Sequence, residues 1–485
     1  MTEHIDKPAE LSVIVVGASG DLARKKIFPA LFSLFCQDLL PSTFYVFGFA
    51  RTAFAVDQFR EHIAAYLTCR YTPEHSCADR VSEFLSHCHY FAGSYDSRES
   101  FLSLSAVVTA VEGGRRASRV FYLAVPATVF ADAARAIGAA GMAGDGEGTG
   151  WPKVVMEKPF GSDRESSDLL VRELAEFFSE EQTYRIDHYL GKEVIQNLMV
   201  LRFANTVFEP IWSRHFVERV DIIWKENIGV GSRGGYFDAY GIIRDVVQNH
   251  LVQVLALVAM ERPADRLARS VRDAKVKVLR SIAPLAMKDL VIGQYAASVS
   301  MRHHGYREED LVPVASITPT YASCVLRIDN ERWRGVPFTI SAGKGMDAAF
   351  SEVRFHFRTP QANIFCTPSD CPPANVFVVR IQPDEALLLR IMNKEPGLDV
   401  KLVASELNLK YRSAFSKPIP DAYECLLLDV ICGDHSLFIS QEELSAAWDI
   451  FTPVLHEIDA KRIVPEPYDY GSTGPADASQ LAAQR

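Results

Sequence analysis

The chain has 485 residues, enough for two or three ordinary domains, and its 48% hydrophobic and 23% charged residues suit a globular protein with a large core. A net charge of −10 argues against a nucleic-acid or membrane-surface binder, so any anion site must come from cations gathered locally. The nine cysteines, odd in number and without a C-x-x-C pair, lack zinc spacing and argue against a disulfide framework, which points to no bound metal and to a reducing, cytoplasmic compartment. The N-terminus MTEHIDKPAELS has no apolar segment, and the longest apolar run, LVQVLALVAM from Leu251, is too short to span a bilayer.

In chain order, LSVIVVG, TFYVFGFAR, RVFYLAVP and PKVVMEKPF read as strands apolar on both faces, separated by helical segments. That alternation predicts βαβ units and a parallel sheet. The first strand runs into Gly17 and Gly20, and Asp21 to Leu34 reads as a helix kinked at Pro29. G-x-x-G-x-x-A, ending at Ala23, is a variant of the dinucleotide fingerprint and lies in the strand, turn, helix context that the fingerprint needs. Gly17, Ser19, Gly20, Asp21 and Leu22 are the candidate cradle, where backbone N–H groups and a helix dipole meet a pyrophosphate. A plain tight turn would look the same. Three cations, Arg24, Lys25 and Lys26, follow at a helix start that is already positive, so coenzyme phosphates are expected among them.

The second strand ends in Arg51 and Thr52, where an NAD enzyme places an acid for the ribose hydroxyls. Arg51, with Lys26, suits a 2′-phosphate and hence NADP, although a lone Arg51 would equally be a solvated side chain. EKPFG puts Lys158 at the carboxyl edge of the sheet, where ligands of such folds bind. YRIDHYLGKE then gathers Arg185, Asp187, His188, Tyr189, Lys192 and Glu193 around Gly191, a composition poor for a core and good for a site. From about Thr183 the pattern changes to alternating strands such as RVDIIWKENIGV, FTISAGKG and SEVRFHF, which predict an α+β domain on an antiparallel sheet. Its longest helical pattern, GIIRDVVQNHLVQVLALVAM, sets Ile242, Val246 and His250 on one face, as a core histidine would also be set.

GASGDLARKKIFPALF, EKPFG, RIDHYLGKE and GGYFDAYGIIRDVVQNHL together resemble the glucose-6-phosphate dehydrogenase family. The resemblance implies an NADP-binding Rossmann-like domain over residues 1–185 and a β+α substrate and oligomerisation domain over 186–485. It implies a homo-oligomer, dimer or tetramer, that oxidises glucose 6-phosphate with NADP to 6-phosphogluconolactone, the first step of the pentose phosphate pathway. By the same resemblance His250 is the general base for the C1 hydroxyl and Asp187 the carboxylate that orients it. His188, Tyr189 and Lys192 would hold the substrate phosphate, Lys158 would lie between substrate and coenzyme, and Glu226, Asp245 and Lys344 would contact hydroxyls or phosphate. Two departures stand out. Ala348, Ala349 and Phe350 follow Lys344 where the family often has a further cation, and Leu388 and Leu389 stand where an aromatic would stack on a second, structural NADP. One coenzyme per subunit is therefore expected, with none near Arg354, Arg380 and Arg390. A dehydrogenase of another aldose phosphate, or a silent NADPH sensor, would share the fold, but a sensor needs no base.

Overall fold

The computed structural model describes residues 7–71, 76–114, 117–143, 150–298, 302–359, 363–366 and 371–483. They form two compact units, one of residues 1–191, 265–272 and 420–444, the other of residues 192–264, 273–419 and 445–485.

The first unit is a six-stranded parallel sheet, β1 (Glu10–Val16), β2 (Thr43–Ala50), β3 (Cys88–Ala92), β4 (Ser118–Leu123), β5 (Pro152–Glu157) and β6 (Thr183–Ile186). Its order is β3-β2-β1-β4-β5-β6, so the chain winds outward in both directions from β1. The strand order reverses between β1 and β4, and ligands of doubly wound sheets bind beyond the carboxyl ends at that reversal. Four of these strands are those expected from the sequence; the short β3 and β6 carried too weak a pattern to stand out.

Helix Phe28–Cys36 follows a widened π turn, Ala23–Ile27, with Pro29 in its first turn. Proline has no N–H to donate to the preceding turn, and the wider winding absorbs that loss where the sequence suggested a kink. Phe28, Leu31 and Phe32 of this helix pack with Leu426, Leu427 and Val430 of helix Ala422–Cys432 and with Val13, Val15 and Val155 of the sheet. The returning segment thus belongs to the first unit, and burial of a helix face of this kind contributes on the order of 10 kcal/mol before entropy. The expected contiguous division at 185/186 contains no such return, because only tertiary packing decides which layer an apolar helix joins.

The second unit carries nine strands: β7 (Val217–Lys225), β8 (Leu290–Ala296), β9 (Tyr321–Arg327), β10 (Pro337–Gly343), β11 (Phe350–Phe357), β12 (Val376–Gln382), β13 (Ala386–Lys394), β14 (Leu402–Lys410) and β15 (Glu466–Asp469). Their order is β14-β13-β12-β11-β7-β10-β9-β8-β15. β7–β10 and β8–β15 run parallel, so the sheet is mixed where alternation alone suggested antiparallel. Period-two burial is clear on β7, where Val220, Ile222 and Trp224 face inward.

Behind the sheet, Gly231–Ala259 forms a rod long and apolar enough to cross a membrane by length and composition, yet 94% of its apolar window is buried, as in a core helix. The apolar run that looked short is only its last part. The rod's carboxyl end is closed by side chains: Arg202 donates to Leu257 O and Met260 O at 2.7 Å, Trp212 to Val258 O and Trp333 to Ala259 O at 2.8 Å. Carbonyls that a helix end leaves without partners are thereby satisfied inside the core.

Cys69 is bonded to Cys77 and Cys366 to Cys371, two short-range pairs where the cysteine pattern argued only against a disulfide framework of the secreted kind. Pairs spaced by 8 and 5 residues match no recognisable motif, and only the fold brings them together.

Candidate active site

At the end of β1, Gly17 has φ +92°, and a Cβ there would lie 2.3 Å from Ala124 O, so only glycine fits. Gly17 N–H and Ala18 N–H donate to Phe49 O at 2.7 and 3.2 Å, which ties the turn to β2. Ser19 extends the tie, its hydroxyl accepting from Thr52 Oγ1 at 3.2 Å. Arg51 stands exposed beside it with its guanidinium 5.3 Å from the Tyr95 ring. A backbone-lined turn with an exposed cation and no acid at the end of β2 fits an NADP pyrophosphate and 2′-phosphate.

The three cations of the first helix have nearer partners. Arg24 and Lys25 both hold Asp21, with Lys25 Nζ at 2.7 Å from Oδ2, and their bonds keep that carboxyl below its usual range. Lys26 Nζ lies 3.2 Å from Asp421 Oδ2 and 5.9 Å from the Tyr423 ring centre. Carboxylates therefore account for the run of cations without any ligand, which corrects the argument that their presence alone demands coenzyme phosphates. Such exposed pairs are screened by solvent and weak, so a phosphate can replace them.

Strands β5 and β6 deliver the next group. Glu157 ends β5, Lys158 follows in a cis peptide bond to Pro159, and Asp187 is the first residue past β6. Asp187 and Tyr189 are buried. Asp187 Oδ1 accepts from Tyr189 N–H and its carbonyl from Leu190 N–H, both at 3.0 Å, so the carboxylate and the turn fix one another. The His188 ring lies parallel to Tyr423 at 6.3 Å, and a Cβ on Gly191 would come within 2.6 Å of Ala422 O. Arg185 takes the other course. Its guanidinium is held by Glu180 at 2.9 Å and by Ile439 O at 3.4 Å, so it stabilises the unit and leaves the group to its neighbours.

The sequence reading passed over Glu157, Tyr122 and Tyr423. Tyr122 Oη donates to Glu157 at 2.6 Å, and Tyr423 also bonds this carboxyl. Burial and the nearby Asp187 push Glu157 up to about 7, against the two hydroxyls and Lys158. Its place in EKPFG was a signal; the tyrosines, far away in sequence, gave none.

In the second unit Lys192 precedes helix Glu193–Phe203 and donates to Gln382 Oε1 at 2.9 Å. Glu226 and Lys344 follow the parallel neighbours β7 and β10 and close an ion pair of 2.6 Å. Lys344 Nζ stands 5.3 Å from the Trp224 ring and 5.5 Å from Phe237, which holds the ammonium against aromatic faces. Asp245 and His250 are buried on Ile243–Leu251, a π-wound segment that starts after Gly241 leaves helical geometry at φ +66°. The wider turn breaks the expected one-in-four face of Ile242, Val246 and His250, and such windings cluster at functional sites. Beyond Lys344, where the family's further cation is missing, Asp347 takes Lys225 at 2.8 Å. Arg354 and Arg380 both close on buried Glu352 at 2.8 Å and, against burial, hold its carboxyl below the usual range, while Arg390 pairs with Glu406.

A family model described as glucose-6-phosphate dehydrogenase, NAD binding domain, matches residues 14–197, and its C-terminal domain matches 199–485. The chain belongs to the glucose-6-phosphate dehydrogenase family. Among similar members of that family, chloroplastic glucose-6-phosphate 1-dehydrogenase 1 of Arabidopsis thaliana is 48% identical over 99% of this chain and 84% of its own. The Dictyostelium discoideum enzyme is 45% identical over 99% of this chain and 95% of its own. A solved glucose-6-phosphate dehydrogenase in complex with glucose 6-phosphate superposes with a TM-score of 0.92 at 39% identity, covering 99% and 98% of the two chains. The glucose-6-phosphate dehydrogenase fold therefore spans both units.

Proposed function

We infer that this chain oxidises D-glucose 6-phosphate at C1 to 6-phosphogluconolactone with NADP, yielding NADPH at the entry to the pentose phosphate pathway. The observation that carries the reading is the turn after β6, where a buried Asp187 is locked by Tyr189 N–H with His188 and Lys192 close by in sequence. A carboxylate so placed beside phosphate-binding types suits a site that holds an anion and moves a proton.

In this reading His250 takes the C1 hydroxyl proton, and Asp187 stabilises the imidazolium that results. His188, Tyr189 and Lys192 bind the substrate phosphate, while Glu226, Asp245 and Lys344 contact the sugar. Lys158 lies between substrate and coenzyme. When bound, NADP accepts the hydride that leaves C1. Gly17, Ser19, Gly20, Asp21 and Leu22 cradle its pyrophosphate, and Arg51 with Lys26 grips its 2′-phosphate. One coenzyme binds per subunit, because Arg354 and Arg380 are engaged by Glu352. A cytoplasmic homo-oligomer completes the reading; cytoplasmic isoforms of Arabidopsis thaliana and Solanum tuberosum are 46% identical to this chain.

Absorbance at the reduced-nicotinamide band tests the reaction, with glucose 6-phosphate or another aldose phosphate supplied with NADP or NAD. Turnover with glucose 6-phosphate and NADP is expected; turnover only with another aldose phosphate, or none with any, would overturn it. Light scattering reads the oligomer, and equilibrium titration reads the coenzyme stoichiometry.

A further inference from the structure

We propose that Glu157 is a positioning residue of this site, its carboxyl held by two tyrosine hydroxyls so that its charge acts on Lys158 and Asp187. The inference rests on the active-site reading above.

Three elements converge on the one side chain. Tyr122 reaches it from β4 at 2.6 Å, and Tyr423 reaches it from the start of helix Ala422–Cys432, a segment that returns to this unit from late in the chain. The third is β5 itself, whose end fixes the backbone of Glu157 directly before Lys158. Tyr423 is in turn placed by Asp421, which caps that helix, accepts from Tyr423 N–H at 3.0 Å and pairs with Lys26. A glutamine could join the same two hydroxyls at no electrostatic cost. The acid has a use only if its charge does.

The charged groups that face Glu157 define that use. Burial and Asp187 disfavour its ionisation, while the two tyrosines and Lys158 favour it, which leaves it titrating at about 7. Interaction energies are mutual, so an ionised Glu157 attracts the Lys158 side chain and repels the Asp187 carboxylate. Around Tyr423 stand the Lys26 ammonium, the Asp421 carboxylate and the parallel His188 ring. With Glu157 neutral, Lys158 loses an anionic neighbour and Asp187 a repulsive one.

The readout is the acid limb of kcat/KM against pH. His250 must be unprotonated to act, and ionised Glu157 raises the rate without being required for it, so the parent limb is expected to carry two ionisations. Glu157→Gln keeps both tyrosine contacts and is expected to leave a single-ionisation limb. Tyr423→Phe removes one donor to the carboxylate and is expected to move the Glu157 ionisation up by about one to two pH units. Tyr122→Phe repeats the test if the first variant folds poorly. Infrared difference spectra of the substrate-free protein give an independent reading. A protonated-carboxyl band that titrates near pH 7, absent in Glu157→Gln and shifted upward in Tyr423→Phe, supports the proposal even if glucose 6-phosphate proves not to be the substrate. Limbs and bands unchanged in both variants, whatever their rates, would reduce Glu157 to a structural residue and overturn the proposal.

Discussion

At the carboxyl edge of the first unit, Glu157 and Lys158 straddle the end of β5 and Asp187 the end of β6, whereas in the second unit Lys344 meets Glu226 across 118 residues of sequence. The first arrangement is set by topology, since every strand of a doubly wound sheet points its carboxyl end the same way. The second depends on register, because β10 must lie parallel beside β7 before the two charges can meet. Substitutions in the first unit should therefore act on binding one residue at a time. Substitutions in the second should spread through the elements that hold the register.

The most severe break in that contrast is expected at His250. His250→Asn should lower the turnover number by roughly a hundred- to ten-thousand-fold with little change in substrate binding, read from steady-state kinetics and a separate binding titration. Loss within a few-fold of the parent would return His250 to the core histidine that its burial also allows. Next comes Arg202, whose removal from the core leaves Leu257 O and Met260 O without donors. Arg202→Met should cost roughly 2 to 6 kcal/mol in denaturant unfolding, at one to three per buried orphan group. A cost below about 1 kcal/mol would show that the rod's end relaxes onto other partners.

Legibility from sequence followed the same line. The glycine turn, β1, β2, β4, β5 and the RIDHYLGKE turn could be read because each is a local pattern with a physical reason at short range. Asp21 as the partner of Arg24 and Lys25 lay only three and four residues away and was still missed, because an anion-seeking helix start was the more inviting explanation. The return of helix Ala422–Cys432, the tyrosines on Glu157, both disulfides and the parallel pairs in the second sheet left no local mark. They are consequences of packing, which a single chain does not print in its periodicity. The π winding around His250 is intermediate: the kink at Gly241 suggests a break, but nothing in the residues announces the wider turn.

A smaller effect sharpens the local half of the contrast. Arg51 is the exposed cation at the end of β2, so Arg51→Ala should weaken NADP roughly ten- to hundred-fold, as for a lost charge-assisted bond, and leave NAD nearly unchanged. Fluorescence titration with the two reduced coenzymes checks it without turnover. Equal losses for both would move the 2′-phosphate elsewhere.

The smallest expected effect concerns pH and sets the two units against each other. In the first, burial and then Asp434 push Asp429 up to about 8, and Glu157 titrates at about 7. A carboxyl raised in the folded state keeps its proton while the unfolded chain releases it, so the stability it gives is present at low pH and is lost as pH rises towards 8. His435, lowered to about 4 chiefly by burial, has the opposite sign, but its contribution changes only below its ordinary range near 6.5. In the second unit Glu352 is held low by Arg380 and Arg354, so its stabilisation is full above the ordinary carboxylate range and is lost only in acid. Between pH 6.5 and 8 the protection of amides against exchange, taken relative to the intrinsic rate at each pH, should therefore fall in the sheet of the first unit and stay level around β11 and β12. Asp429→Asn should flatten part of that slope and raise the melting temperature by a few degrees at pH 8 but not at pH 4. Protection that falls equally in both units, in parent and variant alike, would mean that the carboxyl sits in water and that the two halves share one response to pH.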